Sequence, residues 1–185
     1  MRQTATFGAL LLALCMGGGA LAADFTAQTV TVGMRKNMED FREIMNELQA
    51  MPQARKGAIG VVGFSNGGYF AALIASLGRV KAAVSYYGTF TGVHTDKNLD
   101  RMRERWKASS SPLLILAGEN DTTIGAETPH ALEAIIKAVG APYEIKMYSG
   151  VGHDFDRSGS TGPNNGAAAA DAWQPTLAFR RAHGV

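Results

Sequence analysis

One apolar run limits the folds open to this chain more than any other feature. It covers residues 58–64, reads Ala-Ile-Gly-Val-Val-Gly-Phe, and contains no polar side chain. Runs of this length and composition are typical of strands buried on both faces, which occur in parallel sheets. A helix-like segment, residues 67–77, follows almost at once. This order of strand and helix predicts an α/β unit.

The same alternation continues along the chain. Predicted strands cover residues 25–32, 80–86, 112–117 and 143–147, and predicted helices cover 38–51, 100–106, 128–139 and 167–182. Thr128 is expected to cap its helix, and Pro175 to kink or divide the last one. The pattern predicts one α/β domain, in which a mostly parallel sheet carries helices on both faces.

Length and composition are consistent with a single domain. The chain has 185 residues, of which 46% are hydrophobic and 18% charged. A net charge of +2, spread along the chain, does not predict a nucleic-acid partner. The single Cys15 excludes a disulfide framework, and the scattered histidines predict no metal site.

The first 22 residues have the layout of a secretory signal peptide. Arg2 precedes an apolar run at 7–16, three glycines follow, and Ala20-Leu21-Ala22 provides a small-x-small cleavage site. The run is about half of the ~20 residues that span a bilayer, so no membrane anchor is predicted. We expect cleavage after Ala22, a secreted or periplasmic location, and a mature domain of residues 23–185.

Ser65 is the central residue of a Gly-x-Ser-x-Gly motif that begins at Gly63 and ends at Gly67. A buried strand before the serine and a helix after it are the context of a nucleophile elbow, whose sharp turn lifts the hydroxyl out of the sheet. The backbone N–H of Asn66 would then face a developing oxyanion. The alternative is a glycine-rich turn with an inert serine.

A serine nucleophile needs a base, and His153 is the best placed of the four histidines. It lies in a glycine-flexed loop just after the last predicted strand, at the edge of the sheet where ligands of α/β proteins bind. His94 lies in an irregular segment, His130 in the first turn of a helix, and His183 close to the end of the chain.

Asp121 is the candidate acid that would orient the base. It follows the predicted strand at 112–117, and its position between the candidate nucleophile and base gives the chain order of α/β-hydrolase triads. Glu119 and Asp154 are rivals. Glu119 is nearer the strand, whereas Asp154 is adjacent to the base and is expected to point elsewhere.

Taken together, these motifs resemble the dienelactone hydrolase family of α/β-hydrolases. The resemblance covers roughly residues 38–180, and its motifs are Gly63 to Gly68, Tyr87-Gly88, Gly118 to Asp121, Gly152 to Phe155, Ala170 to Trp173 and Ala178-Phe179. It implies an α/β-hydrolase-like fold and hydrolysis of a small ester or lactone without a cofactor. By position, it also implies a triad of Ser65, Asp121 and His153.

Two features depart from the family pattern. The usual nucleophile of the family is Cys, whereas the matching residue here is Ser65, which is typical of general esterases. Only residues 33–37 separate the first predicted strand from the helix near Met38, where the family has several strands and a helix. The predicted fold is therefore truncated at its N-terminal half, and the missing part supplies the second oxyanion N–H.

Two functions remain open from the sequence. The first is a serine hydrolase that cleaves a small ester or lactone, and the second is a catalytically impaired or inactive hydrolase-fold protein that acts at most as a binding module. The truncation also leaves the strand at 58–64 without a neighbour on one side, and an exposed apolar edge favours association. Three alternatives follow: residues 25–32 cover this edge, a second chain pairs with it in self-association, or the protein is poorly stable.

Overall fold

A computed structural model describes residues 10–16, 43, 45–47, 49–50, 54–90, 98–156 and 165–185. The elements in chain order are β1 Leu10–Met16, β2 Ala54–Phe64, α1 Asn66–Ala75, β3 Ala82–Tyr86, α2 Asn98–Arg105, β4 Leu113–Gly118, α3 Glu127–Ala138, β5 Tyr143–Tyr148 and α4 Asn165–Ala182. The described residues between 43 and 50 are also helical, as predicted. The predicted strand at 25–32 lies outside the described residues.

The five described strands form one sheet in the order β1-β2-β3-β4-β5. Strands β2 to β5 are parallel to one another, and β1 is antiparallel to β2. Consecutive parallel strands lie side by side because each connection crosses over a face of the sheet and returns beside the strand it left. The predicted parallel sheet is confirmed.

Alternate residues of the central strands pack against opposite faces of this sheet. On one face, side chains of β2, β3 and β4 join a core with α1, α2 and α3, and on the other face the intervening side chains pack against α4. Ile115 belongs to the first core, and its neighbours Leu114 and Leu116 belong to the second. Both faces are therefore covered, which explains why β4 and residues 58–64 of β2 are continuously apolar.

The predicted cap of α3 is wrong, and the predicted division of α4 is not seen. Helix α3 begins at Glu127, so Thr128 lies inside it, and the Thr128 hydroxyl donates to the Ile124 carbonyl at 2.5 Å instead of capping the helix. Helix α4 runs through Pro175 without division. Proline removes one backbone donor from a helix, but Ala172 and Phe179 are buried on either side of Pro175 and pack α4 against the sheet.

The outer edge of β2 is covered by β1. Leu10 pairs with Gly63 and the register continues to Leu14 opposite Ile59, after which it shifts before Met16. The strand beside β2 therefore comes from the segment that the sequence predicts to be a leader. This pairing satisfies backbone groups that would otherwise form an open edge.

Candidate active site

The candidate site lies at the carboxyl ends of the parallel strands. Ser65 follows β2 directly, Asp121 follows β4, and His153 follows β5. These ends meet at one edge because the strands are parallel, which is where α/β proteins place ligands. The structure brings all three residues into contact, although Ser65 and His153 are 88 positions apart in the sequence.

Ser65 has the backbone conformation expected of a nucleophile elbow. Its φ of 53° and ψ of −118° lie in a region that residues with a side chain rarely adopt. Its N–H donates to the Tyr86 carbonyl at 3.0 Å, and its own carbonyl accepts from the Gly68 N–H at 2.9 Å and the Thr89 N–H at 3.2 Å. Bonds to three segments hold the strained turn in place.

Glycine at position 63 permits the sharpness of this turn. A Cβ atom there would lie 1.9 Å from the Gly67 carbonyl oxygen, far inside any real contact distance. Strand β2 and the first turn of α1 therefore approach each other more closely than any side chain allows. The two outer glycines of the motif touch each other, and Ser65 is raised between them.

The Ser65 hydroxyl does not cap α1 and instead contacts His153. Ser65 occupies the N-cap position of α1 but makes no capping bond from its side chain. Its Oγ lies 2.9 Å from His153 Nε2, and His153 Nδ1 lies 2.8 Å from Asp121 Oδ2. With the Nδ1 proton on the Asp121 side, Nε2 is the acceptor for the serine proton.

Asp121 is held by its own loop. The side chain is fully buried, and Oδ1 accepts hydrogen bonds from the backbone N–H groups of Thr123 at 2.9 Å and Ile124 at 3.1 Å. The other oxygen is thereby directed to His153. A buried carboxylate is tolerated when its oxygens are satisfied in this way, so Asp121 is fixed before any substrate arrives.

Neither rival acid contacts His153 Nδ1. Glu119 is exposed, and its Oε2 accepts from the Ser149 hydroxyl at 2.6 Å. An Asp154 oxygen lies 3.9 Å from His153 Nε2, on the serine side of the ring rather than at Nδ1. Of the three candidates, only Asp121 contacts the nitrogen that an orienting acid must bind.

Two of the other histidines have contacts away from the candidate site. His130 contacts Glu133 at 3.1 Å on the exposed side of α3, and this contact is the main reason that the pKa of Glu133 is lowered. His183 packs against the Phe179 ring, with 4.5 Å between the centroids. His94 lies outside the described residues.

Asn66 is the first residue of α1. N–H groups in the first turn of a helix have no partner within the helix, and the helix dipole makes this end attractive to negative charge. The Asn66 side chain is oriented by Thr89, whose hydroxyl donates to Asn66 Oδ1 at 3.3 Å. The nucleophile is therefore followed immediately by a backbone donor suited to an oxyanion.

Sequence reasoning missed the contact between Tyr87 and Asp156 beside the candidate base. The Tyr87 hydroxyl donates to Asp156, and the Tyr87 ring lies against His153. The signals available were weak: Tyr87 precedes a glycine in a family-like motif, and Asp156 closely follows the base. Nothing in either local pattern indicates that the two side chains meet.

No three His, Cys, Asp or Glu side chains in the part of the chain that the structure describes come together as a metal site would require. The groups that the structure brings together at these strand ends are a hydroxyl nucleophile, an imidazole, a carboxylate and a helix N-terminus. This set of groups suits acyl transfer.

Comparison with known sequences identifies relatives of this chain. A family model described as "Dienelactone hydrolase family" matches residues 19–183. A carboxymethylenebutenolidase of Rhodococcus opacus is 36% identical over 123 residues, which cover 65% of this chain and 48% of that protein. A hydrolase of Talaromyces stipitatus is 34% identical over 111 residues, which cover 60% of this chain and 39% of that protein.

Comparison with solved structures identifies the same architecture. A crystal structure from Klebsiella pneumoniae, named "Putative Dienelactone Hydrolase", aligns with a TM-score of 0.64 and 26% identity. The alignment covers 77% of this chain and 59% of that one. The predicted α/β-hydrolase-like fold is confirmed, and the chain spans only 39% and 48% of the two curated relatives described above.

Proposed function

The chain belongs to the dienelactone hydrolase family, and on that premise we propose that it is a serine hydrolase that cleaves a small ester or lactone. One observation carries the proposal: the unbroken series of contacts from Ser65 Oγ to His153 Nε2, at 2.9 Å, and from His153 Nδ1 to Asp121, at 2.8 Å. The names of its relatives, a carboxymethylenebutenolidase and a hydrolase, support the reaction class.

The first half of the proposed reaction forms an acyl-enzyme. Ser65 Oγ attacks the carbonyl carbon while its proton passes to His153 Nε2. Asp121 holds the imidazole in the correct tautomer and stabilises its cation. The carbonyl oxygen becomes an oxyanion, which the Asn66 N–H stabilises. The tetrahedral intermediate then expels the alcohol oxygen, which takes the proton from His153 as it leaves.

The second half releases the product. Water replaces the alcohol, or approaches beside the tethered alcohol of an opened lactone, and His153 removes its proton as it attacks the acyl carbon. Collapse of this second intermediate breaks the bond to Ser65, and the serine oxygen regains its proton from His153. The products are a carboxylic acid and an alcohol, or one hydroxy acid from a lactone.

A fluorophosphonate probe tests this function. We expect covalent labelling of the folded wild type and none of Ser65→Ala or His153→Ala. Ser76→Ala is the matched control, because the Ser76 hydroxyl donates to the Leu73 carbonyl at the other end of α1, so its labelling should equal that of the wild type. A folded wild type that shows no Ser65-dependent labelling would instead identify an inactive hydrolase-fold protein.

We also propose that residues 1–22 are a leader removed on export to the periplasm or the medium. The charged start, the short apolar run and the small-x-small site support this proposal. No helix among the described residues has the length and apolar character needed to cross a membrane. The intact mass of the exported protein tests the cleavage, and we expect a chain that begins at Ala23. Exported protein that retains residues 10–16 would contradict the proposal.

Cleavage at Ala22 would have a structural consequence, because it removes β1. The edge of β2 from Ile59 to Gly63, which β1 covers along its length, would then be open. We propose that a second copy of the processed chain pairs with this edge. Light scattering on residues 23–185 and on the whole chain tests this, and we expect a dimer only for the shorter form. A monomeric shorter form would contradict self-association through this edge.

A further inference from the structure

Each of the four parallel strands sends one side chain to the candidate site. Strand β2 leads to Ser65, β4 to Asp121 and β5 to His153, while β3 ends immediately before Tyr87. Tyr87 is 3% exposed, and its N–H donates to the Leu116 carbonyl of β4 at 2.7 Å. It therefore lies on the central strands, between the nucleophile and the other two members of the triad.

The backbone of Tyr87 is strained. Its φ of 37° is positive, which residues with a side chain rarely adopt. Ser65 and Asp154 are the only other non-glycine residues with positive φ in the described part of the chain, and both belong to the candidate site. Strain of this kind persists only where surrounding contacts enforce it, and it places the Tyr87 ring against the loop that contains His153.

Tyr87 contacts three residues of that loop. The rings of Tyr87 and His153 meet edge to face, with centroids 4.8 Å apart and an angle of 61° between their planes. The Phe155 ring lies 5.5 Å away, also edge to face. At the far end of the ring, the Tyr87 hydroxyl donates to Asp156 Oδ1. The Tyr87 ring limits how far the His153 ring can tilt. The hydrogen bond of the Tyr87 hydroxyl joins the loop after β5 to the end of β3.

Asp156, which accepts this hydrogen bond, carries a cost in the stability of the fold. Burial raises the pKa of Asp156 above its ordinary value of 3.8, and the hydrogen bond from Tyr87 offsets only part of that effect. A raised carboxyl pKa contributes stability only at low pH, and that contribution is lost as the pH rises through the raised value. Above that raised pKa the charged Asp156 therefore lowers the stability of the fold, which is a cost expected of a residue kept for function.

We propose that Tyr87 and Asp156 are positioning residues that hold the His153 loop so that Nε2 faces Ser65 Oγ. This inference rests on the proposed function, since it assigns a task within the same site. The positioning contact is the hydrogen bond between the Tyr87 hydroxyl and Asp156, which fixes the loop. The edge-to-face contact of the Tyr87 ring with His153 then limits the orientation of the imidazole. Neither residue touches the reacting atoms.

Four variants test the proposal through the rate of Ser65-dependent fluorophosphonate labelling and the midpoint of thermal unfolding. Tyr87→Phe removes the hydroxyl, and Asp156→Ala removes its acceptor. Asp156→Asn keeps an acceptor oxygen but no charge. Tyr143→Phe is the matched control, because the Tyr143 hydroxyl donates to the Glu133 carboxylate at 3.1 Å at the opposite end of β5.

We expect Tyr87→Phe and Asp156→Ala to label about 10- to 100-fold more slowly than the wild type, because a small misplacement of a catalytic group is costly. Asp156→Asn should restore most of the rate and unfold at a temperature no lower than the wild type. Tyr143→Phe should label normally. A purely structural pair would lower the unfolding temperature without this rescue.

Two results would overturn the inference while leaving the proposed function intact. One is labelling of Tyr87→Phe and Asp156→Ala within twofold of the wild type. The other is Asp156→Asn labelling as slowly as Asp156→Ala, which would rule out the hydrogen bond as the positioning contact.

Failure of the proposed function is a separate outcome, recognised by a folded wild type that does not label at all. In that case the proton on His153 Nδ1, which is directed to Asp121, provides an independent NMR signal. The inference requires this signal in the wild type and in Tyr143→Phe, and its broadening or loss in Tyr87→Phe. An unchanged signal in Tyr87→Phe would refute the inference.

Discussion

Substitution of Gly63 by Ala should damage both the fold and the site. The added Cβ would lie 1.9 Å from the Gly67 oxygen and 2.3 Å from the Gly67 carbonyl carbon, and these are backbone atoms that cannot rotate away. Real Cβ atoms keep at least 3.0 Å from such a neighbour, so β2 and α1 must separate by about 1.1 Å. Ser65 lies between the two segments and must move with them.

The expected magnitudes follow from that displacement. Overpacking costs about 1–3 kcal/mol of stability, and occasionally more. A clash with backbone atoms belongs at the upper end of this range, so we expect a loss of about 3 kcal/mol of stability. For a domain of this size, that loss lowers the unfolding midpoint by roughly 6–12 °C. Movement of the nucleophile by about 1 Å should slow labelling by about 100-fold.

Calorimetry and the fluorophosphonate labelling rate measure the two effects. Gly166→Ala is the matched control, because a Cβ at Gly166 in α4 meets no atom within 4 Å. Alanine favours a helix by up to about 1 kcal/mol over glycine, so this control should be as stable as the wild type or slightly more so. A Gly63→Ala protein that melts within 2 °C of the wild type and labels within twofold would refute the account of the elbow.

Three further predictions concern other parts of the molecule. Asp121→Asn should reduce the hydrolysis rate by about 10⁴-fold, because the amide favours the wrong imidazole tautomer; a loss below tenfold in a folded variant would exclude Asp121 as the orienting acid. Burial raises the pKa of Tyr86 from 10.0 to about 12, so its contribution to stability is complete below pH 10 and is lost as the pH rises toward 12. Unfolding midpoints measured across that range should fall less steeply for Tyr86→Phe, and equal slopes would assign the loss to another group. Leu116→Ala should cost about 2–5 kcal/mol by denaturant unfolding, since Leu116 is fully buried, and a cost below 1 kcal/mol would mean that the core closes around the cavity.

Much of the fold could be predicted because its signals are local. The apolar run before Ser65 and the glycines around it determine a buried strand, a sharp turn and a helix within a few residues. The repeated alternation of strands and helices then predicts the parallel sheet. In such a sheet the carboxyl ends of the strands meet at one edge. The chain order of nucleophile, acid and base, together with the family-like motif from Gly118 to Asp121, predicted which side chains would meet.

The remaining features depend on contacts between distant segments. Nothing local to residues 10–16 predicts that they pair with β2, since an apolar run before glycines suits a leader equally well. The Tyr87–Asp156 bond depends on how the loop after β5 approaches the end of β3. Thr128 was misassigned because a hydroxyl at a helix start can donate backwards as readily as it can accept a capping bond.

The wide separation of the triad along the chain makes the site a reporter of folding. Ser65 and His153 are 88 positions apart, and the base follows the last strand of the sheet. Helices such as α1 depend on local contacts that form early, whereas contacts between distant segments form late. During refolding, helical signal should therefore return before Ser65 becomes reactive, and the recovery of labelling will measure the docking of β5 onto β4.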